Sequence, residues 1–185
     1  SYATNDLRKG VNIGEFKPTV QGRYIKKYMS SPIALNESEN DWPVIRYADV
    51  LLMLAEAQGN TADSWAKINQ VHFRATATSL SVNTGDVAIF EKALSNERRW
   101  EFAFENQRWF DLLRFNTTLS TVSAKSTLDY HFAIMHPLYY RTYLFNLSLI
   151  TIQEHYANGN LLLLPIPQYE LDTNSFISIP QNPGY

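Results

Sequence analysis

Between Val87 and Phe115 the chain carries neither Gly nor Pro, and its apolar residues recur at a helical period. Val87, Phe90, Leu94, Phe102, Trp109 and Leu113 fall on one stripe, which predicts a long helix, continuous or kinked near Ser95–Asn96. Arg98, Glu101 and Glu105 fall inside that same stripe. An isolated ion in an apolar stripe costs several kcal/mol, so these charges must be paired. The spacing offers Arg98 with Glu101, Glu105 with Arg108, Arg108 with Asp111 and Asp111 with Arg114, each within side-chain reach on a helix. Glu97, Glu101 and Glu105 follow one another at one-turn spacing with like charge, so arginines from a neighbouring helix are required as well. The pattern predicts a central helix in a helical array, with structural ion pairs built from Arg98, Glu101, Glu105, Arg108, Asp111 and Arg114.

Two further helices precede it. The first is predicted over Asp41 to Gln58, with start signals at Asp41 and Pro43, a stop at Gly59–Asn60, and Val44, Tyr47, Ala48, Leu51, Leu54 and Ala55 on one face. Asp49 and Glu56 share its other side, where arginines or solvent would meet them. The second runs from a cap at Thr61 or Asp63 to about Ala77, with Trp65, Ile68, His72 and Ala75 aligned. The short turn makes the pair an antiparallel hairpin whose span matches the roughly 34 residues of a tetratricopeptide unit, although the consensus residues of that repeat are not reproduced.

The flanks are less regular. Gly10, Gly14, Pro18, Gly22 and Pro32 interrupt residues 1–40, where Arg23 to Met29 reads as a short strand and Tyr24 and Tyr28 read as packing rings of an irregular coat, the alternative being stacking rings of a ligand-facing loop. A polar loop spans Thr78 to Gly85, Thr84 or Asp86 caps the long helix, and Asn116 to Lys125 reads as loop. After the aromatic-dense stretch Tyr130 to Phe145, Asn158–Gly159 marks a turn before the apolar run Leu161 to Leu164. The proline-spaced close, Pro165-Ile166-Pro167 and Pro180 to Tyr185, suits a chain wrapped over helices. The expected fold is mainly α: tetratricopeptide-like helical hairpins with long irregular loops and small β elements near the C-terminus. One domain is expected over 1–185, with an irregular region at 1–40, a helical core at 41–115 and a wrap at 116–185.

Composition narrows the function. Of 185 residues 45% are hydrophobic and 14% aromatic, which is a folded composition. A net charge of −2 with no Lys/Arg cluster gives no case for nucleic acid. With no cysteine there is no disulfide, thiol catalysis or Cys-type zinc site. No apolar run approaches the ~20 residues of a membrane helix.

Three chemistries compete for the remaining residues. Glu97, Glu101, Glu105 and Asp111 invite a two-carboxylate glycosidase reading. Each has an Arg within a turn, however, which favours the ionised form over a proton donor, and all lie along one helix and not across a cleft. No catalytic residue is assigned. His131 and His136 lie near each other without a carboxylate pattern and His72 sits on an apolar stripe, so no metal ligand is assigned. A calcium ion held by loop oxygens would leave no fixed spacing to read; no other cofactor is implied. The third chemistry is sugar stacking. Tyr130, His131, Tyr139, Tyr140 and Arg141 are the candidate ligand contacts, because sugar C–H faces stack on aromatic rings while polar side chains satisfy hydroxyls.

Three segments resemble one family. Pro43-Val44-Ile45-Arg46-Tyr47-Ala48-Asp49-Val50-Leu51-Leu52-Met53-Leu54-Ala55-Glu56-Ala57 is similar to a characteristic helix of SusD/RagB-like nutrient-binding lipoproteins. Glu97 to Glu105, followed by Arg108-Trp109-Phe110-Asp111-Leu112, resembles that family's central block, and Pro165-Ile166-Pro167 with Gln181-Asn182-Pro183-Gly184-Tyr185 resembles its close. The resemblance covers about Asp41 to Tyr185 and implies the C-terminal portion of a longer protein. It further implies a lipoprotein on the surface of the outer membrane of Bacteroidetes-type bacteria. Such a protein binds a glycan or similar nutrient without catalysis and passes it to a SusC-like TonB-dependent transporter. The family's long motifs are scaffold, so no ligand contact transfers residue by residue. If the chain is a piece, apolar helix faces would be exposed, and a second chain carrying the N-terminal part could cover them. The alternative reading is a helical interaction scaffold for a peptide or protein partner, with ligand recognition in that N-terminal part.

Overall fold

The computed structural model describes residues 2–16, 22–30, 40–140, 148–157, 162–173 and 179–182, which fall within two compact units, Ser1–Val122 and Ser123–Tyr185. A single domain in three segments is the expectation from sequence; two units are what the contacts resolve.

The first unit opens with a short helix α1 (Arg8–Asn12) that runs directly into strand β1 (Ile13–Glu15). β1 pairs antiparallel with β2 (Arg23–Ile25), placing Gly14 opposite Tyr24. A Cβ at Gly14 would lie 2.1 Å from the Tyr24 ring, so a side chain cannot be added there while Tyr24 packs against Phe16. Among the described residues these are the only strands, at the N-terminal end and not near the C-terminus. Leu162 to Leu164 of the apolar run form no strand, and Leu161 lies outside the described residues.

Helices α2 (Tyr47–Gln58) and α3 (Ala62–Thr76) form the expected hairpin. Gly59 turns it at φ 68°, a left-handed backbone that glycine adopts without steric cost. The Thr61 side chain caps α3 by accepting from the Ser64 N–H, and α3 ends on Ala77 in the left-handed conformation. α2 starts later than Asp41 and Pro43 suggest. Residues 41–46 are non-helical, and Arg46 is extended as it enters the helix. Val44, expected on the inner face, is accordingly 77% exposed.

The long element is two helices, α4 (Val87–Glu101) and α5 (Arg108–Thr118), broken at Phe102–Gln107 and not near Ser95–Asn96. Phe104 and Asn106 take positive φ in the break. No Gly or Pro marks it, because the helix end is capped from a distance. The Lys27 ammonium donates to the carbonyls of Glu101 and Ala103 at 2.9 and 3.1 Å, and Arg46 donates to the Glu101 carbonyl at 3.2 Å. Cations on the free carbonyls at a helix C-terminus stabilise the stop. At the other end Asp86 caps α4 through the N–H groups of Ala88 and Ile89.

Leu51, Leu52, Ala55, Trp65, Ile68, Val71, Phe90, Leu94 and Phe102 form the core where α2, α3 and α4 meet. Trp65 meets Phe90 edge-on at 5.7 Å and satisfies its indole N–H on the Asn60 side chain. α5 adds buried Leu112 and Phe115, whereas Trp109 and Leu113 of the expected stripe are only half-buried once the break rotates α5 out of phase.

The second unit holds α6 (Ala124–Met135), a π-helical turn (His136–Tyr140), α7 (Leu149–Ala157) and α8 (Gln168–Thr173). Ser123 and Ser126 form a reciprocal capping box that starts α6 where a loop is expected. α6 packs on α7 through a stacked Phe132–Tyr156 pair, and the Tyr156 hydroxyl donates to Asp129 at 3.0 Å. In the closing segment Ile166 sits between Pro165 and Pro167 and has the one main-chain N–H of the three. Gln181 takes that N–H at 2.7 Å and returns its own amide to the Ile166 carbonyl at 2.9 Å, while Asn182 donates to the Leu164 carbonyl.

Leu94→Ala should lower unfolding free energy by about 2–5 kcal/mol, the usual cost of emptying a closed core site. Val87→Ala, on a side chain 48% exposed, should change it by less than about 0.5 kcal/mol. Urea unfolding of both variants checks this; comparable losses would contradict the placement of the core.

Candidate functional site

Glu97, Arg98 and Glu101 are buried on α4, as are Glu105 in the break and Asp111 on α5. Their counter-charges come from several other segments of the unit. Arg8 of α1 reaches Glu97 at 2.6 Å, Glu101 at 3.3 Å and Asp6 at 2.8 Å. Arg46 bridges Glu101 at 2.9 Å and both oxygens of Glu105, Lys27 meets Glu105 at 2.6 Å, and Arg74 of α3 meets Glu101 at 2.5 Å. His72 Nδ1 lies 2.7 Å from the remaining Glu97 oxygen. On the other side, Arg98 links Asp49 of α2 to Asp111 of α5, both at 2.9 Å, and Arg114 forms a two-pronged pair with Glu56.

The pairs suggested by spacing alone are mostly different. Asp111 and Arg114 are paired at 2.9 Å. Arg98 goes to Asp49 and Asp111 instead of Glu101, and Glu105 goes to Arg46 and Lys27 instead of Arg108. Arg108 donates to the Ser95 carbonyl and hydroxyl at 3.3 and 3.4 Å instead of reaching Asp111. The break after Glu101 explains this, since Glu105 and Arg108 no longer share a helix. Burial, with Arg98 and Arg99 nearby, pulls the Arg108 guanidinium down to about 10 against the opposing field of Asp111. Burial would raise the Glu101 carboxyl, but hydrogen bonds from Arg46 and Arg74 override it and hold the group below its ordinary value. Glu56 behaves likewise through Arg114 and Thr118.

A cavity of about 400 Å³ opens beside this network, with Leu7, Val11 and Pro43 among its apolar walls and Arg8, Lys27, Arg46, Glu101 and Glu105 among its polar ones. Those charges are already matched to one another. Tyr28 lines the same cavity, and its hydroxyl is buried and has no hydrogen-bond partner among the described residues; burial and the Glu105 carboxylate push it upward. Tyr28 also stacks on Trp42 at 5.0 Å. The Glu101 carboxyl, held ionised by the Arg46 and Arg74 guanidinium groups, is unsuited to general-acid work at neutral pH. The arrangement is suited to rigidity.

The candidate sugar contacts lie in the second unit. Tyr130 and His131 stand on α6 and not on a loop, and Tyr130 is 71% exposed. It shares a helix face with Ile134 and Leu138, both exposed, whereas His131 turns edge-on to Phe132 at 5.2 Å. Tyr139 and Tyr140 supply backbone to the π-helical turn. Their side chains, and all of Arg141, lie outside the described residues. A shallower cavity of about 310 Å³ is lined by Lys125, Asp129, Ile150, Gln153 and Glu154. Among the described residues no group of three His, Asp or Glu stands where it could hold a metal ion. Sequence reasoning missed the roles of Arg8, Lys27, Arg46 and Arg74, whereas Tyr28, read as a packing ring, does pack on Trp42. The like-charged ladder on α4 signalled that outside cations were needed, but nothing in the local spacing named them.

Arg98→Ala should cost about 3–5 kcal/mol, because Asp49 and Asp111 lose the buried cation they share; urea unfolding at neutral pH measures it. Glu56 and Glu101 ionise at lower pH folded than unfolded. The stability they contribute is complete above the ordinary carboxylate value of about 4.3 and is lost as the pH falls through their lowered folded values. Urea midpoints should therefore drop below about pH 5, and Glu56→Gln should make the drop shallower. An unchanged slope in that variant would remove Glu56 from the account.

A sequence model of the SusD family matches residues 12–185. SusD-like protein P25 of Formosa agariphila is 32% identical over 142 residues, which is 71% of this chain and 26% of that protein. SusD-like protein P2 of the same organism is 28% identical over 159 residues, 80% of this chain and 27% of that protein. The chain thus spans about a quarter of the length of these curated relatives. A crystal structure of a SusD homolog from Bacteroides thetaiotaomicron superimposes with a TM-score of 0.63 at 22% identity, covering 98% of this chain and 41% of that one, a likeness of fold. With the family match running through the α2–α3 hairpin, the α4–α5 ion network and the closing clamp, the chain belongs to the SusD family.

Proposed function

We propose that this protein binds an oligosaccharide or comparable nutrient at the cell surface, leaves it chemically unchanged, and passes it to a TonB-dependent transporter of the outer membrane. Family membership across residues 12–185 is the observation that carries this reading. Glu97, Glu101 and Glu105 serve the scaffold: each is engaged by cations, and the guanidinium groups on Glu101 keep it from acting as a proton donor. The proposed location is the outer face of the outer membrane, held by a lipid; among the described residues no helix is long and apolar enough to cross a bilayer.

For the ligand, Tyr130 is the leading contact, because a ring 71% exposed on a regular helix offers a preformed stacking face. His131, Tyr139, Tyr140 and Arg141 remain its proposed neighbours in the same site. Affinity electrophoresis through gels containing single polysaccharides, with product analysis of the same glycans, tests the whole reading. Retardation by one glycan without cleavage is expected. Tyr130→Ala should weaken that retention roughly two- to tenfold, the value of one stacked ring. Cleavage would restore a catalytic role to the carboxylates, and retardation by none of the glycans would point to a peptide nutrient.

A further inference from the structure

Four arginines gather where α4 meets α5, and they are not equally balanced. Arg98 is shared between Asp49 and Asp111, and Arg114 takes both oxygens of Glu56 and one of Asp111. Arg108 and Arg99 form no ion pair among the described residues. Arg108 spends Nη1 on the Ser95 carbonyl and hydroxyl at 3.3 and 3.4 Å, both longer than the ~2.9 Å of a good N–H···O bond. That carbonyl lies inside α4, where it serves the helix ladder as well. The Nε–Nη2 edge of Arg108 has no partner among the described residues. Such an edge presents two parallel N–H donors, the fork that matches the oxygens of a carboxylate, sulfate or phosphate.

We propose that this corner, Arg108 with Arg99, is an anion site that takes one oxyanion group, either as a free ion or carried on a larger ligand. Arg108 is half-buried, so its unused edge is neither fully hydrated nor paired. Arg99 is exposed on α4 and lies near enough for its charge to oppose that of Arg108. A partly desolvated cation beside a second cation is costly until a counter-charge joins them. Asp111 favours the Arg108 cation but is already engaged by Arg98 and Arg114, so the balancing charge must come from outside this cluster. The proposal is separate from the nutrient reading: it holds whether or not Tyr130 stacks on a sugar.

The test is isothermal titration of the complete protein encoded by the gene with sodium sulfate, sodium phosphate and sodium acetate, in chloride buffer at constant ionic strength. A saturable one-to-one heat is expected with at least one of the three. Arg108→Gln should weaken that binding at least about tenfold, and Arg108→Lys, which keeps the charge but not the fork, by a smaller factor. Arg99→Gln removes an exposed side chain with no ion pair among the described residues, so it keeps the test open if the Arg108 variants fail to fold; it should weaken binding about threefold or more. Gels containing dextran sulfate or sodium polygalacturonate, against plain dextran, separate the two sources. Retardation by a charged polymer that is lost in Arg108→Gln, with no heat from the small ions, would support a group carried on a larger ligand. If another part of the polypeptide fills the corner with its own carboxylate, neither signal will be seen and the proposal falls. Signals of equal size in the unsubstituted protein, Arg108→Gln and Arg99→Gln would overturn it as well.

Discussion

Placing Glu97, Arg98 and Glu101 on the buried side of α4 obliges each neighbouring segment to supply a counter-charge. α1 sends Arg8, the approach to α2 sends Arg46, α2 sends Asp49, α3 sends Arg74 and α5 sends Asp111. Each is therefore fixed in register as well as in contact. A buried ion pair adds little net stability over an apolar replacement, since desolvation offsets the attraction, but breaking one is expensive. The network thus acts chiefly against wrong arrangements of the helices, while Leu52, Ile68, Phe90 and Leu94 supply the cohesive burial. The guanidinium carbons of Arg46 and Arg98 also lie 4.9 and 5.0 Å from the centre of the Phe102 ring, which joins the charged and apolar parts of the interior.

What the sequence discloses depends on whether the signal is local. α3 is legible almost to the residue, because the Thr61 cap, the Trp65–Ile68–His72–Ala75 stripe and the stop all lie within it. The end of α4 is not, because Lys27 and Arg46, far away in sequence, satisfy its last carbonyls. The late start of α2 has the same origin: Arg46 stays extended at the helix entrance, with its guanidinium committed to Glu101 and Glu105. α6 carried a usable local signal, the Ser123–Ser126 cap followed by Leu128, Phe132 and Met135 at helical spacing. The same contrast holds at the candidate sites. Arg98, Glu101 and Glu105 are legible as ions in an apolar stripe, but spacing along one continuous helix names the wrong partners for them, because that helix breaks after Glu101. Tyr130 could be singled out for its chemistry, yet ring stacking on a sugar demands no particular spacing, so no pattern distinguishes a binding tyrosine from a packing one.

The clamp between Gln181 and Ile166 bears on what the closing segment can offer to other polypeptides. Proteases hold a substrate as an added strand, through its free main-chain N–H and carbonyl groups, and strand-seeking aggregation uses the same groups. Pro165 and Pro167 have no N–H to give, and the side chain of Gln181 already occupies both polar groups of Ile166. Asn182 holds the Leu164 carbonyl next to it. An extended stretch that would otherwise be an open invitation to cleavage or to cross-pairing is thus chemically closed, by two amide side chains and without a regular sheet.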